Sequence, residues 1–368
     1  MKPNSILGRY LTKQITFNFA AVLLMVLGVV LLFEVVELLR RTSSRDEIGF
    51  GFVMQMAITK LPKTIEMVFP FVMMIAAMIT FWKLSKTNEF VIMRAAGVSI
   101  WGFLWPVLAT TFSIGVLNVT LVNPVAANMY DLYETLEYRL ETRNPKAVLF
   151  SDQGLWIREA IDNDNVMVLQ AESLRQEKDD LLLRGVTILE MDRRSQPSRR
   201  LEAFAGTLKN GYFDLKDVHI FKAGEPTAVV NSLRYKTVLD VERIKENFAA
   251  PEAISFWDLP DTIRFYEMSG FSALRHRLRY YSLLVSPFLL CAMVLVAAVF
   301  ALRPNNRRGG VMFLIVGGIT TGFVVYFLTQ LVYAFGLNGY IPAILAVATP
   351  MLIAALIAVS ALLHLEDG

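Results

Sequence analysis

Residues Phe81 to Ile100 read FWKLSKTNEFVIMRAAGVSI. This short polar interruption lies between two long apolar runs and carries the signals of a small helix of its own. Thr87 or Asn88 suits an N-cap, where a side-chain oxygen can accept an orphan backbone N–H. Glu89 falls in the first turn and Arg94 near the last, each sign matched to the helix dipole. Gly97 stands where a left-handed glycine closes a helix. Phe90 and Met93 share one face, with Val91 and Ala95 beside them. A two-turn helix is marginal alone in water, so this one must lean on something. Two readings stay open: a membrane-surface connector packed on its own bundle, and a docking helix offered to a cytoplasmic partner.

Outward from this segment the chain is strongly apolar. Of its 368 residues 55% are hydrophobic, above the roughly 45–50% of soluble domains. Charge concentrates between Tyr130 and Arg279, which divides the chain into membrane, soluble insert and membrane. The net charge of +3 is small, and no nucleic-acid partner is expected. A single cysteine, Cys291, excludes an intrachain disulfide. His219, His276 and His364 have no ligand spacing, so neither a metal site nor a cofactor is expected.

Six apolar stretches are long enough to span a bilayer. Ile15 to Val36 is the first, about 22 residues or about 33 Å of helix. It is too long for a signal peptide and ends in Glu34, Glu37, Arg40 and Arg41 rather than a small-residue cleavage site. Phe50 to Leu61 reads as an interfacial amphipathic helix. The second span covers about Thr64 to Trp82, with Pro70 inside, and the third about Trp101 to Val122. Spans four to six follow at Tyr280–Leu302, Val311–Phe335 and Ile341–Leu363.

Between the two sets of three, the texture changes. Asn128 to Glu141 looks helical. Short β-type segments follow at Ala147–Phe150, Leu155–Arg158, Val166–Leu169, Gly185–Met191, Leu201–Leu208, Tyr212–Leu215, Val218–Phe221, Thr227–Leu233 and Thr237–Val241. Asn210-Gly211 is a tight-hairpin signal. Regular short strands predict an inserted sandwich or jelly-roll domain. Ser255-Phe-Trp-Asp258 has the capping-box form, which places a helix from about Phe256 towards Met268. The fold class expected is therefore a membrane α-helical protein, three spans plus three, around an all-β jellyroll-like domain. The expected division is 1–142 with the small helix at about 87–97, 143–255 for the β domain, and 256–368.

Basic residues orient the spans. Lys2, Arg9 and Lys13, then Lys83, Lys86 and Arg94, then Arg303, Arg307 and Arg308 fall on alternate loops, which makes those loops and both termini cytoplasmic and the β domain external. Arg40, Arg41, Arg45, Lys60 and Lys63 run against this pattern, and Arg275, Arg277 and Arg279 add a second outer cluster. One reading is a solvated rim paired with Glu37, Asp46 and Glu47. The other is a ring of cations that meets an anionic lipid headgroup, since the planar arginine fork suits phosphate. Glu34, an acid near the outer end of the first span, is a functional candidate by its position.

Gly318-Ile-Thr-Thr-Gly322 is a GxxxG pattern, suited either to internal packing or to a seam between subunits. The chain has no P-loop, no HExxH and no GxSxG, and no catalytic arrangement is expected.

These residues together resemble the LptF/LptG (YjgP/YjgQ) permeases of lipopolysaccharide export. The resemblance rests on Leu7-Gly-Arg-Tyr-Leu11 before the first span and Pro70 within the second. It rests most on Asn88-Glu-Phe-Val-Ile-Met-Arg-Ala-Ala-Gly97, which is similar to the family's coupling segment. Gln153-Gly-Leu-Trp156 favours the LptG branch. The resemblance implies a heterodimer with an LptF-type permease on two copies of an LptB-type ATPase. Lipopolysaccharide would leave the bacterial inner membrane for a periplasmic bridge through LptC- and LptA-type proteins. It implies ATPase contacts at Glu89, Phe90, Met93, Arg94 and Gly97, and lipid contacts at Arg40 and Arg41, with Arg275, Arg277 or Arg279 compensating for Glu34, where a basic residue can stand in relatives. It assigns Gly318 and Gly322 to a subunit seam. The rival is a mechanotransmission protein, driven by a partner ATPase without moving lipid.

Overall fold

The computed structural model describes residues 6–42, 49–141, 147–151, 154–160, 166–177, 180–191, 197–209, 211–222, 226–237, 250–268, 272–302 and 310–367. Lys2, Arg45, Asp46, Glu47, Asn210, Arg303, Arg307 and Arg308, and positions 238–241 of the last expected strand, lie outside them. The chain divides into two compact units. The first holds Met1–Tyr133, Pro251–Pro260 and Leu274–Gly368; the second holds Glu134–Ala250 and Asp261–Ala273.

The first unit is helical. α1 (Ile6–Thr42) and α2 (Phe50–Lys86) are 37 residues each, about 55 Å long, and so run well past a hydrocarbon core of about 30 Å. The expected interfacial segment Phe50–Leu61 is not separate. It continues through Pro62 and Pro70 into α2. α3 (Glu89–Ala95) follows, then α4 (Ile100–Leu117), a π turn at Asn118–Val122 and α5 (Asn123–Glu141). α7 (Leu274–Ala301), α8 (Gly310–Leu337) and α9 (Ala343–Asp367) complete the set, whereas α6 (Leu259–Met268) belongs from Asp261 onward to the second unit. Among the described residues six helical stretches are long and apolar enough to cross a membrane. Leu11 and Ile15 of α1, Met73 and Phe81 of α2, Phe103 of α4 and Val294 of α7 share one buried core. Ala76, Ala77, Ala297 and Ala298 are buried in the same core, where small side chains let backbones approach. Leu24, Met25, Leu32 and Phe33 of α1 point outward, as lipid-facing positions do.

The breaks in these helices have local causes. Pro124 has no N–H to give the carbonyl of Thr120, and the indole Nε1 of Trp257 donates to that oxygen instead, at 3.2 Å. The expected boundary at Asn123 is therefore a π turn inside a continuing helix. Pro287 likewise orphans the carbonyl of Leu283, which accepts from Ser286 Oγ at 2.9 Å. α6 starts three residues later than the capping box suggested. The carbonyl of Ser255 accepts from the backbone of both Asp258 and Leu259, closing a turn before the helix proper.

The second unit is built on one antiparallel sheet of seven strands: β1 (Ala147–Ser151), β2 (Gly154–Ala160), β3 (Val166–Glu177), β4 (Asp180–Met191), β5 (Pro197–Lys209), β6 (Tyr212–Lys222) and β7 (Ala228–Lys236). The inserted domain is all-β in its strands, as expected. Among the described residues each strand pairs with its neighbours in sequence. Two expected strands merge into β6, because Asp217 at φ 53° kinks the backbone while the register with β5 continues on both sides. Gly211 at φ 83° occupies the hairpin turn between Lys209 and Tyr212. Leu181 and Leu183, then Val186 and Ile188 after a shift at Gly185 (φ 60°), bury one face of β4, and Tyr266 of α6 joins that core.

Burial pushes the Tyr266 phenol up to about 12. A phenol harder to ionise in the fold than in the unfolded chain adds stability that is full below its usual value near 10. That stability is lost as pH rises from 10 to 12. Comparing ultraviolet ionisation difference spectra of the intact protein and of Tyr266→Phe should therefore show one phenol missing from the high-pH end of the curve.

Candidate functional site

α3 is fixed in place at both ends. Its last turn closes with Gly97 N–H donating to the Arg94 carbonyl and Val98 N–H to the Met93 carbonyl, both at 3.0 Å, with Gly97 at φ 78°. At the start Asn88 is left-handed and makes no side-chain cap. Glu89 instead accepts from Thr87 Oγ1 at 2.8 Å and from the Tyr10 hydroxyl of α1 at 3.3 Å. Phe90 and Met93 were expected on a docking face. The structure turns both inward: Phe90 packs 4.9 Å from the ring of Phe103 and 6.4 Å from that of Phe81. They are the groups this short helix leans on. What it presents outward is Val91 and Ile92, 64% and 65% exposed, with Arg94 and Gly97 also exposed.

Just above α3, α1 and α2 share a buried polar contact. Asn18 Nδ2 donates to Thr80 Oγ1 at 2.8 Å, and Lys83 Nζ donates to Asn18 Oδ1 at 3.0 Å. With Tyr10 to Glu89, these bonds tie the first helix to the segment that carries α3.

Towards the other end of the bundle lies a cavity of about 420 Å³. Phe69, Pro70, Leu290 and Met293 form its apolar wall, and Thr329 and Gln330 of α8 face it. Its charged wall carries Lys60, Lys63 and Arg279 with Glu66 and Glu252, and Asn118 of the π turn lines it too. Each of these cations has a carboxylate of the same chain. Lys60 Nζ is 2.7 Å from Glu34 Oε2, and Glu34 Oε1 accepts from Thr64 at 3.0 Å. Lys63 Nζ is 3.9 Å from Glu252 Oε1 and sits 3.9 Å over the ring of Tyr130. Arg279 Nη2 is 2.5 Å from Glu66 Oε2. The other oxygen of Glu66 accepts from Asn123 at 3.1 Å, and Asn123 in turn accepts the backbone N–H of Phe256 at 2.9 Å.

Of the expected lipid contacts, Arg279 lines this cavity, and Arg40, Arg41, Arg275 and Arg277 are not among its lining residues. Arg40 and Arg41 lie on the exposed end of α1 and both bond to Glu37. Arg275 and Arg277 are exposed on α7, about one turn and about half a turn from Arg279. Glu34 is drawn into the Lys60 pair, 11% exposed. Lys60 and Lys63 entered the sequence reading among the cations open between a solvated rim and a ring meeting a lipid headgroup, and Glu66 did not enter it at all. An acid inside the second span was the signal that could have found Glu66. Gly318 and Gly322 do not form an outward seam. A Cβ at Gly318 would stand 2.5 Å from Met78 Cε, and one at Gly322 2.5 Å from Met74 Cε, so the pair receives α2 of its own chain. Among the described residues no group of His, Cys, Asp and Glu side chains converges to hold a metal ion.

The family described as "Lipopolysaccharide export system permease LptF/LptG" matches residues 9–364. The lipopolysaccharide export system permease protein LptG of Escherichia coli strain K12 is 25% identical over 363 residues, covering 95% of this chain and 96% of that protein. The LptG of Haemophilus influenzae is 23% identical over 356 residues, covering 94% and 95%. The match runs through α3, the long apolar helices and the inserted sheet alike, and on that breadth this chain belongs to the LptF/LptG family of lipopolysaccharide export permeases.

Proposed function

We propose that this chain is the permease subunit that lifts lipopolysaccharide out of the bacterial inner membrane. It would work beside an LptF-type permease on an LptB-type ATPase dimer, and hand the lipid to LptC- and LptA-type proteins. The observation that carries this reading is the cavity: apolar on one wall and lined on the other by Lys60, Lys63 and Arg279 with their paired carboxylates, it suits a phosphorylated amphiphile. With termini cytoplasmic and the sheet periplasmic, α3 stands on the ATPase side and the cavity in the outer half of the bilayer. Hydrolysis belongs to the partner, and this chain supplies a lever. Val91, Ile92, Arg94 and Glu89 are the surface through which ATPase closure reaches α2, α4 and, through Tyr10 and Asn18, α1. Work comes from the ATPase's differential affinity for two arrangements of the bundle. Arg40, Arg41, Arg275 and Arg277 gather the anionic headgroup at the rim.

A photoreactive amino acid at Ser286, on the cavity wall, tests the reading. The expected result in growing cells is an adduct with lipopolysaccharide, which a hydrolysis-dead ATPase changes in yield. Adducts at Ser286 with protein alone, in a complex that retains its ATPase, would instead favour mechanotransmission.

A further inference from the structure

The cations of the cavity are not waiting empty-handed. Lys60, Lys63 and Arg279 face it, and Glu34, Glu252 and Glu66 hold them one to one, so the six charges cancel. The pairs are also all between segments. Glu34 to Lys60 joins α1 to α2, Glu66 to Arg279 joins α2 to α7, and Glu252 to Lys63 joins α2 to the turn before α6. Sliding or tilting of these helices by a few ångström would therefore change every pair at once.

The grip on Arg279 is incomplete in an informative way. Glu66 reaches it with one oxygen, because the other is held by Asn123. The Nε of Arg279 is buried and has no hydrogen-bond partner among the described residues. A carboxylate so placed cannot make the two-pronged contact a guanidinium favours, whereas a phosphate brings several oxygens and can.

We infer that Glu34, Glu66 and Glu252 act as stand-in anions: they neutralise the cavity cations between cargoes, yield them to a phosphorylated headgroup, and retake them as it leaves. This deepens the proposed function and rests on it. Bare cations in a partly dry cavity would hold a phosphate too firmly to turn over, and an internal carboxylate reduces the gain on binding to the difference between two ion pairs. Entry and release then become an exchange in which contacts broken and contacts made nearly balance. The three acids are positioning residues that set affinity from below.

The inference predicts an effect of unusual sign. Removing an acid should tighten binding and slow release, whereas loss of a merely structural ion pair would loosen the cavity and weaken binding. The test uses the complete transporter in nanodiscs of phosphatidylethanolamine and phosphatidylglycerol, with rough-form lipopolysaccharide as the probe. For Glu66→Gln the dissociation constant should fall about tenfold and the ATP-driven release rate should fall by about the same factor. Glu252→Gln, on a longer and more exposed pair, should move both in the same direction by less and guards against misfolding of the first variant. Unchanged or weaker binding in both variants overturns the exchange. Arg279→Gln separates this from the reading beneath it. It should bind at least about tenfold more weakly. Should it bind as tightly as the unaltered chain, the cavity is not the headgroup site and both ideas fall; should it bind weakly while the glutamine variants bind no tighter, only the exchange falls.

Discussion

On the proposed docking of α3 to an LptB-type ATPase, replacing Val91 and Ile92 together by aspartate will strip the ATPase from this permease and stop export, while leaving the permease itself folded. Both side chains are about two-thirds exposed at the centre of α3, and neither belongs to the bundle core. In an interface they would be the apolar anchors. Truncation of one such anchor costs at least about 2 kcal/mol, so two carboxylates in their place should weaken association by about a thousandfold or more. Surface changes of this kind shift stability by only about 0.5 kcal/mol. Thermal unfolding of the purified permease should therefore be nearly unchanged while the ATPase no longer copurifies. Phe90→Ala supplies the contrast. Its ring fills the space between Phe81 and Phe103, and loss of a buried phenylalanine costs about 3–5 kcal/mol. That variant should lower the unfolding temperature and loosen α3 from below, losing the ATPase only as a consequence. Retention of the ATPase by Val91→Asp with Ile92→Asp would remove the outer face of α3 from the docking scheme altogether.

The contrast also marks where reading the chain stops and folding it begins. The segment around Glu89 was legible because its signals are local: an acid at the start, a glycine at the end and apolar residues three apart. Which apolar residues face out was not, because a seven-residue helix has too few turns to define a stripe. The choice is made by Phe81 and Phe103, on two other helices. The spans were legible from length and apolarity. Their continuity was not: the change of texture at Asn123 reads as a boundary, and only the fold reveals Trp257 supplying the donor that Pro124 cannot. The inserted strands were legible from their spacing, while their order depends on pairing that no single strand encodes. The charges show the widest gap. Arg279 and Glu66 are 213 residues apart and Lys60 and Glu34 are 26 apart, separations at which no periodicity argument connects an acid with a base. Hence these basic residues read as either a solvated rim or a ring of cations, and nothing in the sequence tied three of them to a cavity with their counterions in place.

Leucine at both Gly318 and Gly322 will push α8 off α2 and abolish export, and the reason lies within a single chain. A bare Cβ at these positions already comes within 2.5 Å of the end of Met78 or Met74. Alanine should be tolerated, since a methionine terminus can swing aside, whereas a leucine needs room that only backbone movement can give. Overpacking costs about 1–3 kcal/mol at each site, and here the cost has a direction. Thr329 and Gln330 line the cavity from α8, and Tyr326, which also lines it, packs its ring 5.4 Å from Phe71 of α2. Separating the two helices therefore widens the cavity wall and weakens the hold on any headgroup there. Shortening the opposing side chains, Met74→Ala and Met78→Ala, should make room for the leucines and recover thermal stability together with a substantial part of export. A seam between subunits would behave otherwise: the methionine changes would add their own loss, because the leucines would be colliding with a different polypeptide. Rescue against further loss, read from the unfolding temperature of the quadruple variant, decides whether the glycine pair closes this chain on itself or joins it to its partner.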